Sequence, residues 1–174
     1  AKRKAKAVAA PTAGLHFTKA ILRKIMAKGI KIIPVTLHVG YGTFKTIKTD
    51  DIDEHLIDAE YGEITKSSAH SINRIREKGG KIFAVGTTVV RTLESAAMIN
   101  GKIQPLAGYV NLYIKPGYQF RVVDHLLTNL HLPKSTLLIL VSTFAGREKI
   151  LEAYQLAIRN KYRFYSYGDC MLIL

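Results

Sequence analysis

The chain has no tryptophan, a single cysteine, and half as many acidic as basic residues, 13 Asp+Glu against 26 Lys+Arg. Each shortage excludes something. With Cys170 alone no intramolecular disulfide can form, and no spacing resembles a zinc site, so a reducing, cytoplasmic location is expected and no metal. Cys170 sits in the apolar tail CMLIL and is expected to be buried. Long apolar runs are missing too. The longest, Leu137 to Val141 (LLILV), falls far short of the roughly 20 residues of a membrane-spanning helix, so no membrane partner is expected from it. The basic start AKRKAKAVAA lacks the apolar core of a signal peptide. An initiator methionine is also missing, which reads as a fragment or a processed chain. No repeat, low-complexity segment or linker divides the 174 residues. The expectation is one α/β domain over 1–174, with 1–7 as a basic, flexible flank.

What is present is strongly basic. A formal net charge of +13 produces a field that draws in polyanions. Nucleic acid is the first partner class this implies and an acidic membrane surface the second. The alternative is a generally basic protein with neither.

The stretch VAAPTAGLHFT, Val8 to Thr18, places Thr12, Gly14 and His16 between a strand-like and a helix-like segment. Pro11 ends the strand expected at Val8 to Ala10, and Gly14 allows a turn with positive φ. Thr18 caps a helix from Lys19 to Lys28, with Ile21, Leu22, Ile25 and Met26 on one face and Gly29 as its stop. A strand follows over Lys31 to Val39, with Pro34 implying an edge or a bulge. The loop GYGTFKT comes next, holding Tyr41 and Thr43. The acidic island Asp50 to Asp58 reads as a capped turn or short helix. Glu60 to Ile64 is a strand, and Thr65 caps a helix running to Lys78. Lys81 to Val85 reads as a buried strand leading through Gly86 and Thr87 into a helix that ends near Gly101. Further strands are expected at Gly108 to Lys115 and Gln119 to Asp124, while Leu126 to Leu132 is ambiguous. Pro133 fits the first turn of a helix Lys134 to Phe144, stopped by Gly146. A long amphipathic helix covers Arg147 to Tyr162, and an aromatic strand lies within Arg163 to Leu174. Alternating strands and helices argue for an α/β fold, a mixed sheet flanked by helices.

Several constellations could carry chemistry. Thr87 and Thr88 open a helix after a strand, where free N–H groups and the helix dipole suit an anion. Arg91 lies one turn on and could pair with a carboxylate or phosphate, with Glu94 further along that face. The plainer reading is a capped helix with a surface Arg91–Glu94 pair. His16, His38 and His131 lie in strand or loop contexts and have the proton-transfer chemistry of imidazole. A lone histidine is more often a hydrogen-bonded packing residue. Thr128, Asn129 and His131, followed by Ser135 and Thr136, form a dense polar cluster. Asn129 and His131 could read base or sugar edges; Ser135 and Thr136 could equally cap a helix.

The blocks AAPTAGLHFT, LHVGYGTF, AVGTTVVRTLESAA, PGYQFRVVDHLLTNLHLPKSTLLILVSTFAG and YRFYSYGDCMLI together resemble the S-adenosylmethionine:tRNA ribosyltransferase-isomerase family of queuosine biosynthesis. The blocks run in the family's order over nearly the whole chain. The resemblance implies a bacterial, cytoplasmic enzyme acting on tRNA that carries 7-aminomethyl-7-deazaguanine at the wobble position. It would transfer and isomerise the ribosyl part of S-adenosylmethionine onto the aminomethyl nitrogen. Adenine and methionine leave, and epoxyqueuosine-tRNA remains. S-adenosylmethionine is then a ribosyl-donor substrate, and no true cofactor is implied. The likeness covers only about the C-terminal half of the family. The implied fold is its main α/β domain without the N-terminal segment and the inserted β-barrel domain. Four positions depart from the family pattern: Lys6 for a small residue, Thr46 for proline, Asp58 for histidine and Leu130 for phenylalanine.

With that reaction in view, the acid and base candidates are His16, His38, His131, Asp124 and Glu94, with His16 ranked first. The substrate-binding candidates are Thr12, Gly14, Tyr41, Thr43, Thr87, Thr88, Arg91, Asn129, Ser135 and Thr136. Two rival readings stand beside the enzyme: an inactive or partial tRNA-binding fragment, and a nucleotide-binding structural domain. Oligomeric state is not legible.

Overall fold

A computed structural model of the chain describes residues 10–40, 45–98 and 100–174. Tyr41, Thr43, Lys6 and most of the expected first strand lie outside the described residues. In chain order a 3-10 turn, Thr12–His16, precedes α1 (Lys19–Ala27), β1 (Thr36–His38), β2 (Glu60–Ile64), α2 (Lys66–Glu77) and β3 (Phe83–Val85). Then come α3 (Thr87–Ser95), β4 (Leu106–Val110), β5 (His125–Asn129), α4 (Thr136–Ala145), α5 (Arg147–Arg159) and β6 (Cys170–Ile173).

The strands form two small sheets rather than one. β1, β2 and β4 make an antiparallel sheet, with Leu37 opposite Gly62 and Gly62 opposite Gly108. β3, β5 and β6 make a mixed sheet, in which β3 and β5 are parallel and β6 is antiparallel to β5. The fold class is therefore mixed α/β, with two sheets where a single one was expected.

Between the sheets lies α3, which touches β2, β4, β3 and β5 as well as α4. Residues Thr87, Thr88, Val90, Arg91, Thr92, Leu93 and Glu94 are all buried. A helix covered on nearly every side must hydrogen-bond its polar side chains internally, because no water reaches them. It also needs a smooth wall to lie against. A Cβ on Gly62 would come within 2.8 Å of Thr92 Cγ2, so β2 reaches α3 only because residue 62 has no side chain. Around α3 the core is aliphatic, with Ile64, Val90, Ile103, Ile114, Leu126 and Val141 almost fully enclosed. Each such side chain contributes about 1.5–3 kcal/mol on burial.

Signals that act over three or four residues match the structure. Thr18 caps α1 by accepting from the Ile21 N–H, and Thr65 caps α2 by accepting from the Ser68 N–H. The acidic island folds as a 3-10 turn at Ile52–Glu54. Other expectations need correction. Lys134 has φ 54°, which no helix interior accepts, so α4 starts at Thr136 with Ser135 as its cap and Pro133 outside it. The strands expected over Lys31–Val39, Lys81–Val85 and Gly108–Lys115 shrink or shift to β1, β3 and β4. Residues 119–124 form no strand. β3 is not fully buried either, since Phe83 is 54% exposed. The aromatic run 162–167 is a loop, and the strand there is the less aromatic Cys170–Ile173, with Cys170 only half-buried. Gly14 sits inside the 3-10 turn and is not among the positive-φ glycines.

Candidate active site

The parallel strands β3 and β5 point the same way, β3 ending at Val85 opposite Leu127 and β5 running two residues further to Asn129. In open α/β sheets ligands bind beyond the carboxyl ends of the strands. A small open cavity of about 50 Å³ lies there. Thr12 and Ala13 of the 3-10 turn form one wall, the α3 start at Gly86, Thr87 and Thr88 another, and Thr128, Asn129 and His131 a third. A second cavity of about 60 Å³ shares Asn129 and His131 with the first and adds Thr46, Ser135, Tyr165 and Ser166. The polar cluster expected at residues 128–136 therefore meets the 12–16 turn across more than a hundred residues of chain.

Asn129 is the junction. The Thr12 hydroxyl donates to its Oδ1 at 3.4 Å. Its Nδ2 lies 3.2 Å from His16 Nε2 and donates to the carbonyls of Tyr165 and Ser166 at 3.3 Å each. The half-exposed His16 is thereby tied to β5 and to the C-terminal loop. His131 is buried; its Nε2 lies 3.0 Å from Thr128 Oγ1, and its backbone N–H donates to the Tyr154 hydroxyl at 2.8 Å. Burial pushes the Tyr154 phenol up to about 12, the His131 N–H pulling weakly the other way, so it stays protonated. Neither Tyr154 nor the Tyr165–Ser166 carbonyls were singled out in the sequence.

Burial also pushes the His131 imidazole down to about 4, against 6.5 for a free histidine. Between those pH values the unfolded chain binds more protons than the folded one. Stability therefore falls as pH drops from about 6.5 to about 4 and levels off below that. The whole loss is about 3 kcal/mol at most. Urea unfolding at about pH 7 and about pH 4.5 measures it, and His131→Gln should flatten that limb. An equal loss in the variant would assign the acid sensitivity to other groups.

The remaining candidates separate from this cluster. His38 stacks on Tyr61 with ring centroids 4.9 Å apart. Its strand neighbours Leu37 and Val39 line the first cavity, so His38 points to the opposite face of β1. Glu94 is buried and accepts from the backbone N–H groups of Arg121, Val122 and Val123 and from the Tyr118 hydroxyl. It holds the 118–123 loop in place of the strand expected there. Burial, then the Glu94 charge and hydrogen bond, push the Tyr118 phenol up to about 12. Asp124 precedes β5, at the end of the strand away from Asn129. It binds the Ile82 N–H and pairs with Lys81. Burial works against its ionisation, but the Ile82 N–H and Lys81 outweigh it and hold the carboxyl below its ordinary range.

Arg91 does not face an anion at the helix start. Its Nη1 meets Glu60 Oε2 at 2.7 Å with both side chains buried, Nε donates to the Leu112 carbonyl, and Nη2 reaches the carbonyls of Asp58 and Val110. The surface Arg91–Glu94 pair is equally absent, since each side chain has distant partners. Burial pulls the Arg91 pKa down and Glu60 opposes it. Thr87 and Thr88 do line the cavity. Ser135 lines the second cavity while capping α4, and Thr136 is buried in the first turn of that helix. Among the described residues no group of three or more His, Cys, Asp or Glu is placed to hold a metal ion. No described helix is long and apolar enough to cross a membrane.

The family model described as "Queuosine biosynthesis protein" matches residues 1–173. A curated relative from Syntrophotalea carbinolica is 56% identical over 172 residues, covering 99% of this chain and 50% of its own length. One from Moorella thermoacetica is 55% identical over 166 residues, covering 95% and 48%. Both are named S-adenosylmethionine:tRNA ribosyltransferase-isomerase. A crystal structure of S-adenosylmethionine tRNA ribosyltransferase from Thermotoga maritima superposes with a TM-score of 0.77 at 41% identity, over 94% of this chain and 51% of that one. The chain thus spans about half the length of the relatives it matches.

Proposed function

The chain belongs to the queuosine biosynthesis protein family, and on that premise we propose that it contributes the reaction site of an S-adenosylmethionine:tRNA ribosyltransferase-isomerase. The reaction moves the ribosyl part of S-adenosylmethionine onto the aminomethyl nitrogen of 7-aminomethyl-7-deazaguanine in tRNA. A proton leaves the carbon beside the sulfonium, whose positive charge stabilises the carbanion. The new bond forms at the nitrogen, which loses a proton. The bonds from the ribosyl unit to adenine and to the methionine sulfur break, and epoxyqueuosine-tRNA results. S-adenosylmethionine enters as substrate, and the compartment is the cytoplasm.

One observation carries this reading: Thr12, His16, Thr128, Asn129 and His131 converge where β3 and β5 end, beside the start of α3. The His131 imidazole lines the cavity, and Asn129 holds the His16 imidazole beside it, which brings two groups of suitable chemistry to the site. Hydroxyls of Thr12, Thr87 and Thr88, with the N–H groups opening α3, supply donors for sugar oxygens or a carboxylate. For tRNA, α1 follows the turn directly and carries Lys19, Arg23 and Lys24 with no acid, all exposed, which suits phosphate contacts. The modified base would leave its stack to enter the pocket.

The half-length match favours a second reading, in which this chain alone binds tRNA without turnover. Free adenine decides between them. The chain is incubated with the modified tRNA and S-adenosylmethionine, alone and with the N-terminal half of the Moorella thermoacetica relative supplied. Adenine release by the pair is the expected result. tRNA retention without adenine in either mixture supports the second reading. Neither adenine nor retention overturns both.

A further inference from the structure

The geometry points to Asn129 as a positioning residue that fixes the tautomer of His16, so that His16 offers the substrate an Nδ1–H donor instead of a free lone pair. The chain of reasoning begins at the C-terminal loop. Backbone carbonyls only accept hydrogen bonds. The atom of Asn129 that meets the Tyr165 and Ser166 carbonyls, at 3.3 Å each, must therefore be the NH₂ nitrogen. Turning the amide over would set its oxygen against two carbonyl oxygens. It would also leave the Thr12 hydroxyl, which now donates to Oδ1, facing an NH₂ group.

The same Nδ2 lies 3.2 Å from His16 Nε2. An NH₂ nitrogen is no acceptor, so Nε2 must receive, and in a neutral imidazole the receiving nitrogen carries no proton. The proton is then on Nδ1. Nδ1 makes no hydrogen bond among the described residues, and the ring is only half-buried, so the N–H is available. Two amide protons serve three acceptors, so one is shared.

The consequence deepens the proposed function and rests on it only for its chemical meaning. The lone pair of His16 is already engaged by the fold. Taking the proton beside the sulfonium would require breaking the Asn129 bond first. Donating a hydrogen bond through Nδ1–H requires no rearrangement, with the proton staying on the neutral ring. His16 is thus set to assist the departing adenine or a sugar oxygen, and proton removal falls to another group.

Long-range proton–nitrogen correlation NMR on the chain with ¹⁵N-labelled histidine, at a pH where imidazole is neutral, reads the tautomer directly. The expected wild-type pattern for His16 is protonated Nδ1 and bare Nε2. In Asn129→Asp the carboxylate only accepts, so the pattern should invert to protonated Nε2. A wild-type Nε2–H pattern, or an uninverted pattern in a folded Asn129→Asp variant, overturns the inference. The wild-type spectrum alone keeps it falsifiable if the variant fails to fold; Asn129→Ala, which should give a mixture of tautomers, is the second variant. In the assembled enzyme, Asn129→Asp should lower kcat about 100-fold, with KM for each substrate changed less than about threefold. A KM effect with kcat intact would make Asn129 a binding residue and overturn the positioning role. A silent assembled wild-type enzyme would count against the proposed function and leave the NMR result standing.

Discussion

Glu60→Ala should destabilise the fold by about 3–5 kcal/mol, the usual result of leaving one charge of a buried pair alone. The pair is enclosed on both sides, with 4% of Arg91 and 3% of Glu60 exposed. Glu60 Oε2 meets the guanidinium, and its Oε1 accepts the Gly40 N–H. Deleting the carboxylate strands a cation next to the buried backbone of β4 and removes the link from β2 to the β1 end. Burial already depresses the Arg91 pKa, and Glu60 is what opposes it. Without Glu60 the desolvation cost stands unopposed. Exchanging both residues for apolar ones, Glu60→Leu with Arg91→Met, should recover part of the loss. Recovery stays incomplete because the carbonyls of Asp58, Val110 and Leu112 lose their donor. Urea unfolding of the three proteins measures all of this. A loss below about 1 kcal/mol in Glu60→Ala would mean that water reaches the pair and screens it.

The largest effect on chemistry is expected at His16. In the assembled enzyme, His16→Ala should slow adenine release by about 10²–10³-fold, the range that one positioned hydrogen-bond donor contributes. The fold should lose about 1 kcal/mol, because the half-exposed ring makes one hydrogen bond to the protein. Single-turnover release and thermal unfolding of the same sample separate the two consequences. Turnover within about threefold of the parent would remove His16 from the chemistry, and a collapse in stability would make it a structural residue.

Those two residues mark how far the sequence could be read. The 12–16 turn and the 128–136 cluster were legible because glycine, proline, threonine and histidine crowd there between periodic segments. Thr18 and Thr65 were legible as caps because a cap is a contact three residues long. Arg91 and Glu94 were misread because spacing along a helix describes only one face. Their partners lie at Glu60 and at residues 121–123, brought in by strand β2 and by the 118–123 loop. The α4 start was misplaced because Pro133 fits a first helical turn, whereas Lys134 takes a left-handed conformation that composition does not announce. The division into two sheets turns on which strand pairs with which, and pairing is non-local. Likewise His38 looked equivalent to the other histidines until strand alternation turned it to the far face.

Gly146 joins α4 to α5 by itself: it ends the one, with its N–H bonded to the Ser142 carbonyl, and begins the other, at φ 94°. The joint has no slack. One residue inserted just after it, into the first turn of α5, would turn the rest of that helix by about 100° about its axis and advance it by about 1.5 Å. Ile150, Tyr154 and Ala157 would rotate out of the core, and the Tyr154 hydroxyl would leave the His131 N–H. A change of length in a surface bend would thus be transmitted to the floor of the cavity. Loops elsewhere on the molecule can absorb insertions, but this one-residue corner acts as a gauge that sets the distance between the last long helix and the pocket.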